Sequence, residues 1–125
     1  MICYASATTT RRNLHAMLVH NWRLLYSARR MDLWQPGWRY ALDNGAWSSF
    51  TRSEPWDEVA FREMVETRGA GADWVVAPDV VAGGIDSLRL TERWLPYLLT
   101  RCRRVLIAVQ DGMVPADVRN LVGDR

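Results

Sequence analysis

Short apolar runs of strand character alternate with stretches of helical periodicity along the whole chain, and this alternation restricts the fold more than any other feature. Ile2 to Ser6 reads as a strand, and Thr8-Thr9-Thr10 then offers N-cap oxygens to a helix carrying Leu14, Met17 and Leu18 on one face. Leu24 to Ala28 is a second strand. Asp32 to Arg39, with Pro36-Gly37, is a loop, and Arg39 to Asp43 is a third strand. Ser53-Glu54-Pro55 opens a helix that turns Trp56, Val59, Ala60, Met64 and Val65 inward and stops at Gly69. Trp74 to Asp79 is strand four. Ile85 to Leu99 is a helix facing the sheet through Ile85, Leu88, Leu95, Leu98 and Leu99, with Pro96 expected to kink or split it. Val105 to Gln110 is strand five, and Pro115 starts a last helix bearing Val118, Leu121 and Val122.

Helices between successive strands call for parallel pairing, and strands four and five are nearly continuous apolar runs, as strands covered on both faces must be. Five parallel strands suit an open doubly wound sheet or part of a (β/α) barrel, whose closed form takes about 200 residues or more. The phosphate-binding turns of an open nucleotide-binding sheet are missing. Asp43-Asn44-Gly45-Ala46-Trp47 is no Gly-x-Gly turn, and Gly83-Gly84 lacks the partner Gly and Lys of the known loops. The expected fold is therefore α/β, a partial TIM-like barrel of about five parallel strands forming a single domain over residues 1–125. No cofactor is expected in this chain.

Hydrophobic residues at 49% and charged residues at 24% argue against disorder, and 125 residues allow about two-thirds of the unfolded surface to be buried. No apolar run approaches the roughly 20 residues of a membrane span. Met1-Ile2-Cys3-Tyr4 lacks the basic start of a secretory signal, so a cytoplasmic protein with free Cys3 and Cys102 and no membrane partner is expected. Two cysteines exclude a Cys-based zinc site within the chain, and His15 and His20 are not at i, i+4 metal spacing. All 16 basic residues are Arg against 14 Asp and Glu, so a net charge of +2 makes nucleic-acid binding a matter of local clusters. Arg11-Arg12 and Arg29-Arg30 fall at the strand C-terminal rim, and Arg101 with Arg103-Arg104 at the opposite end.

Asp43, Asp79 and Gln110 each stand at or just past the end of an apolar run, so parallel strands would bring all three to one rim, where α/β enzymes bind ligands. Two carboxylates and an amide suit a flat ring bearing both donors and acceptors. Each also has an ordinary structural explanation. Asp43-Asn44-Gly45 is a good turn, Asp79 after Pro78 could cap the next segment, and Gln110-Asp111-Gly112 could be a strand-to-helix turn. Of seven Trp, positions 22, 56, 74 and 94 fit core or helix–sheet contacts, leaving Trp34, Trp38 and Trp47 for a base-stacking surface.

The segments Leu42-Asp43-Asn44-Gly45-Ala46-Trp47, Ala77-Pro78-Asp79 and Ala108-Val109-Gln110-Asp111-Gly112 resemble three successive strand-end motifs of the tRNA-guanine transglycosylase superfamily. They look closer to its bacterial and phage paralogues associated with 7-deazaguanine insertion into DNA. The order agrees, as does the spacing of 36 residues from Asp43 to Asp79 and 31 from Asp79 to Gln110. The resemblance implies that Asp43 is a general acid/base, Asp79 accepts from the amidine edge of the base, and Gln110 bonds its carbonyl side. It places Asn44, Gly45, Trp47, Asp111 and Gly112 around the substrate, with Trp47 where an aromatic residue can stack.

Departures are equally specific. Asn44 replaces a common Ser, Asp111 stands where Gly is usual, and the acidic and Cys residues that often follow Asp79 are missing. The family's nucleophilic Asp and its zinc site lie on later strands, so the resemblance covers the N-terminal portion of a transglycosylase domain. Such a chain is truncated, completed by a further copy or another subunit, or without catalysis. The leading expectation is a queuine/guanine tRNA-ribosyltransferase-like protein, exchanging guanine or a 7-deazaguanine in DNA or tRNA. A non-catalytic purine or nucleic-acid binding module and an unrelated open-sheet α/β enzyme are the alternatives.

Overall fold

A computed structural model describes residues 1–123; Asp124 and Arg125, the last two residues of the expected domain, lie outside the described residues. Five strands, β1 (Tyr4–Ser6), β2 (Arg23–Tyr26), β3 (Tyr40–Leu42), β4 (Val75–Val76) and β5 (Val105–Leu106), form one parallel sheet in the order β1-β2-β3-β4-β5. Between them run α1 (Arg11–Val19), α2 (Ala46–Thr51), α3 (Glu58–Arg68) and α4 (Ile85–Leu99), and α5 (Pro115–Val122) follows β5. A doubly wound sheet reverses its strand order at a switch point. Here the order never reverses, which is the succession of a (β/α) barrel.

Register fixes which residues share a face. Tyr26, Leu42, Val75 and Val105 form one row of neighbours, and Leu25 with Ala41 belongs to the other face. The first row joins Leu24 and Tyr40 in a core completed by Met17 of α1, Phe61, Met64 and Val65 of α3, and Trp94 and Leu98 of α4. Right-handed crossovers between sequential parallel strands place successive helices on one side. The other side is less covered: Leu25 and Val76 are half-buried and Leu106 is 44% exposed. That is the side a closed barrel would enclose. Its N-terminal end is held by Asp73, which accepts hydrogen bonds from Tyr4 Oη at 3.0 Å, Arg23 Nη1 at 2.8 Å and Arg39 Nη2 at 2.9 Å. No helix among the described residues is long and apolar enough to cross a membrane.

Several local expectations need correction. The helix expected from Ser53-Glu54-Pro55 begins at Glu58, where the Asp57 side chain accepts from Ala60 N at 2.9 Å. The preceding segment instead holds α2, a six-residue helix entered through Gly45 at φ +76. Val59, expected inside, is 76% exposed because the shifted start turns Phe61 inward. Pro96 does not split α4. Both Pro96 and Glu92, whose carbonyl loses its partner, lie on the outer face, where the break is open to solvent. On the inner face of α4 stand Ser87, Thr91, Trp94, Leu95 and Leu98, whereas Ile85 and Leu99 are exposed. Leu18 of α1 is exposed too, with Met17 taking the buried position.

Candidate functional site at the strand C-terminal rim

Asp43 lies one residue past β3, Asp79 three past β4 and Gln110 four past β5, so the sheet delivers all three to one rim. They line a single cleft of about 890 Å³ together with Asn44, Trp47, Asp111 and Gly112. Val76, Ala108 and Val109 supply apolar wall. Gly45 does not line this cleft. It sits in the supporting turn, where its N–H donates to Asp43 Oδ2 at 3.0 Å while Ala46 N–H donates to Asn44 Oδ1 at 2.8 Å. The turn anticipated from Asp43-Asn44-Gly45 is thus present and also presents the acid to the cleft.

Asp79 is gripped from both sides. Asn44 Nδ2 donates to Oδ1 at 2.6 Å and Gln110 Nε2 to Oδ2 at 2.8 Å. Asn44 is buried and tied further, its Nδ2 donating to Ala77 O at 2.7 Å and its main-chain carbonyl accepting from Trp56 Nε1 at 2.7 Å. Gln110 Nε2 also donates to Ser87 Oγ at 3.1 Å, and Gln110 Oε1 accepts from the N–H groups of Gly83 at 3.0 Å and Gly84 at 3.3 Å. Ser87 Oγ accepts from Val80 N, and Thr91 Oγ1 donates to Pro78 O at 3.0 Å, so α4 holds the loop that carries Asp79.

Glycine is required in that cradle. A Cβ on Gly83 would stand 2.6 Å from Val80 Cβ, and Gly84 adopts φ +50 with its Cβ position 3.0 Å from Asp111 O. Sequence reasoning missed Gly83, Gly84, Ser87 and Thr91. Gly83-Gly84 carries no phosphate-loop pattern, and the available signal is two hydroxyl residues four apart on the inner face of a helix.

Burial pushes the Asp43 carboxyl above the ordinary carboxylate range. The Gly45 N–H opposes the shift, the negative charge of Asp79 adds to it, and the Asn44 N–H opposes it. A carboxyl so placed can hold a proton nearer neutrality than a solvated one.

The aromatic expectations separate. Trp47 is 65% exposed on the lip of the cleft, with the Phe50 ring, also exposed, 5.7 Å away. Trp34 is not a surface platform: it packs on Tyr26 and Tyr40 and carries the Arg68 guanidinium 4.1 Å from its ring centre. Trp38 is half-buried against the core, and Trp22, expected to pack, is 43% exposed.

Arg29 and Arg30 line a second cavity on the rim that also touches Asp43. Arg29 is ion-paired with Glu54, and Arg30 faces Asp32 at 3.8 Å. Arg11 and Arg12 are exposed in the first turn of α1 and line neither cavity. Arg101 is engaged elsewhere, with Glu66 at 2.9 Å and the Tyr97 ring at 4.1 Å. Among the described residues no group of three or more His, Cys, Asp or Glu side chains is arranged to hold a metal ion. Set beside known proteins, the chain matches no family model, no curated protein and no solved structure.

Proposed function

We propose that the rim cleft binds a guanine or 7-deazaguanine base of DNA or tRNA, and that the chain contributes the base-reading part of a queuine/guanine tRNA-ribosyltransferase-like transglycosylase. The observation that carries this reading is the convergence of Asp43, Asp79 and Gln110 in one cleft beside the exposed ring of Trp47. The order and spacing of the three motifs add to it.

An ionised carboxylate offers about four acceptor positions, of which Asn44 and Gln110 occupy two on Asp79. The remaining pair suits the N–H and amino group of a guanine edge. Gln110 is more constrained, since both Nε2 protons and Oε1 already have partners. It acts first as a positioning residue for Asp79, and bonding a base carbonyl requires it to exchange Ser87 or Asp79 for that carbonyl. Asp43, whose burial favours the protonated form, is suited when protonated to deliver its proton to the departing purine as the bond from C1′ to the ring nitrogen breaks. The bond's electron pair leaves with the purine, and the incoming base returns a proton to the carboxylate. The nucleophile that receives C1′ is assigned to no residue described here.

The mutual satisfaction of Asp79 and Gln110 favours a second reading, a non-catalytic purine-binding module. Calorimetry with guanine and 7-deazaguanine, joined to an exchange assay using labelled guanine, separates them. Purine binding should resist a metal chelator and be lost in Asp79→Ala, whereas Asp43→Asn should bind purine without exchanging it. Unchanged binding in Asp79→Ala removes the pocket, and exchange by the native chain that is lost in Asp43→Asn selects the transglycosylase over the module.

A further inference from the structure

The cavity beside the cleft has a volume of about 240 Å³ and an unusual lining. Ser6, Ser27, Ser48, Arg29, Arg30 and Arg52 line it, with Asp43 on the side shared with the cleft. The donors come from separate elements. Ser6 ends β1, Ser27 follows β2, Arg29 and Arg30 lie in the 3₁₀ turn Ala28–Leu33, and Ser48 with Arg52 belongs to α2 and its C-cap. Three arginines and three serines therefore share one partly open cavity with a single aspartate.

The guanidinium groups differ in their other engagements. Glu54 occupies Arg29, Asp32 is 3.8 Å from Arg30, and Arg52 has no ion-pair partner among the described residues. Planar forks of N–H donors joined by hydroxyls match the oxygens of a phosphate. The helix α2 also links the two spaces, since Trp47 lines the cleft and the next residue, Ser48, lines the cavity. Asp43 touches both, where the sugar of a nucleotide would pass between base and phosphate.

We propose that this cavity is a phosphate subsite, with Arg52 and Arg30 as its principal ligands, seating the phosphate of the nucleotide whose base occupies the cleft. The pairing of the two spaces rests on the base-binding reading above, while the anion chemistry rests on the cavity's own donors. Glu54 competes with the phosphate for Arg29.

Titration of the full chain with guanosine, guanosine 5′-monophosphate and inorganic phosphate tests this. The monophosphate should bind roughly tenfold or more tightly than guanosine, because charged hydrogen bonds are added. Arg52→Ala and Arg30→Ala should bring it down toward guanosine, and Glu54→Gln should widen the gap by releasing Arg29. Equal affinities in the native chain, or a gap that persists when Arg30 and Arg52 are both replaced, overturns the subsite. Inorganic phosphate binding that needs Arg52, without any guanosine binding, keeps the subsite and removes the base reading. Guanosine binding without a phosphate gap does the reverse. A gap retained by a short guanine-containing oligonucleotide assigns the phosphate to a nucleic-acid backbone, and one confined to the mononucleotide assigns it to a free nucleotide.

Discussion

Gln110 Nε2 donates to Asp79 Oδ2 across 2.8 Å, while the Gln110 carbonyl is clamped by two glycine N–H groups, so one side chain joins the end of β5 to the loops around β4 and α4. Gln110→Ala should lower stability by about 1–3 kcal/mol, because it leaves part-buried donors unmatched. Chemical denaturation is the measurement. Gly83→Ala, which keeps Gln110 but places a methyl against Val80, should lower stability as well; no loss in either variant would mean that the cradle is not held in solution.

Asp43 titrates against the fold. Its folded pKa lies above the unfolded value, chiefly through burial, so its favourable contribution is present below about pH 4 and lost as pH rises through the folded pKa. The groups around it are Asp79, which adds repulsion, and Arg29, Arg30 and Arg52 of the adjoining cavity. Asp43→Asn keeps an acceptor for Gly45 and should melt above the native chain at pH 7, with the difference closing below pH 4. A variant that melts lower at neutral pH would contradict the burial cost.

Asp73 behaves in the opposite sense. Burial pushes it up, but hydrogen bonds from Tyr4, Arg39 and Arg23 outweigh that and leave its pKa below the ordinary value. Its contribution is present above the unfolded pKa and lost as pH falls through the folded one. Asp73→Asn should cost about 1–2 kcal/mol at pH 7, the smaller end reflecting Arg39, whose side chain is 64% exposed and screened. Thermal melts should show this deficit shrinking in acid.

Cys102 should be chemically silent in the folded protein. Burial raises its thiol to about 11 despite Arg101, so about one molecule in a thousand carries the thiolate at pH 8. Labelling of Cys102 by a thiol reagent should therefore keep pace with unfolding in denaturant. Fast labelling under native conditions would place the sulfur at the surface.

If the rim binds a nucleic-acid backbone, affinity should fall with salt at a slope of about 0.7–0.9 per phosphate contact. Replacing Arg11, Arg12, Arg29 and Arg30 should flatten that slope. Replacing Arg101, Arg103 and Arg104 should leave it nearly unchanged, because that cluster precedes β5 at the far end of the sheet. Equal effects from both sets would reduce the interaction to diffuse electrostatics.

The alternation of apolar runs and helical periods made the parallel sheet readable, and α4 falls on its expected residues, Ile85–Leu99. Its buried face was harder to read. Ser87 and Thr91 occupy inward positions because they bind the Asp79 loop, a role that hydrophobic periodicity counts as an error. The helix α2 was hidden for another reason: six residues entered through a glycine with no side-chain cap give no periodic signal. In the site, alternation and run ends were enough to bring Asp43, Asp79 and Gln110 to one rim. That Asn44 and Gln110 would hold Asp79 depends on side-chain directions after β3 and β5, which no spacing encodes.

Strand order has a consequence for how the molecule opens. Among the described residues β3 is paired on both sides at the centre of the sheet, while β1 and β5 are each paired on one side only. Because every strand neighbours the one before it in sequence, loosening can begin at either margin and advance one unit at a time. Amide hydrogen exchange should be slowest at Leu42 N, bonded to Trp74 O, and faster at Ala7 and Ala77, whose N–H groups bond Leu25 O and Leu106 O in the two marginal pairings. A fluctuation that frees β5 also releases Gln110 from Asp79, so the margin nearest the cleft sets how often the carboxylate loses one of its two clamps.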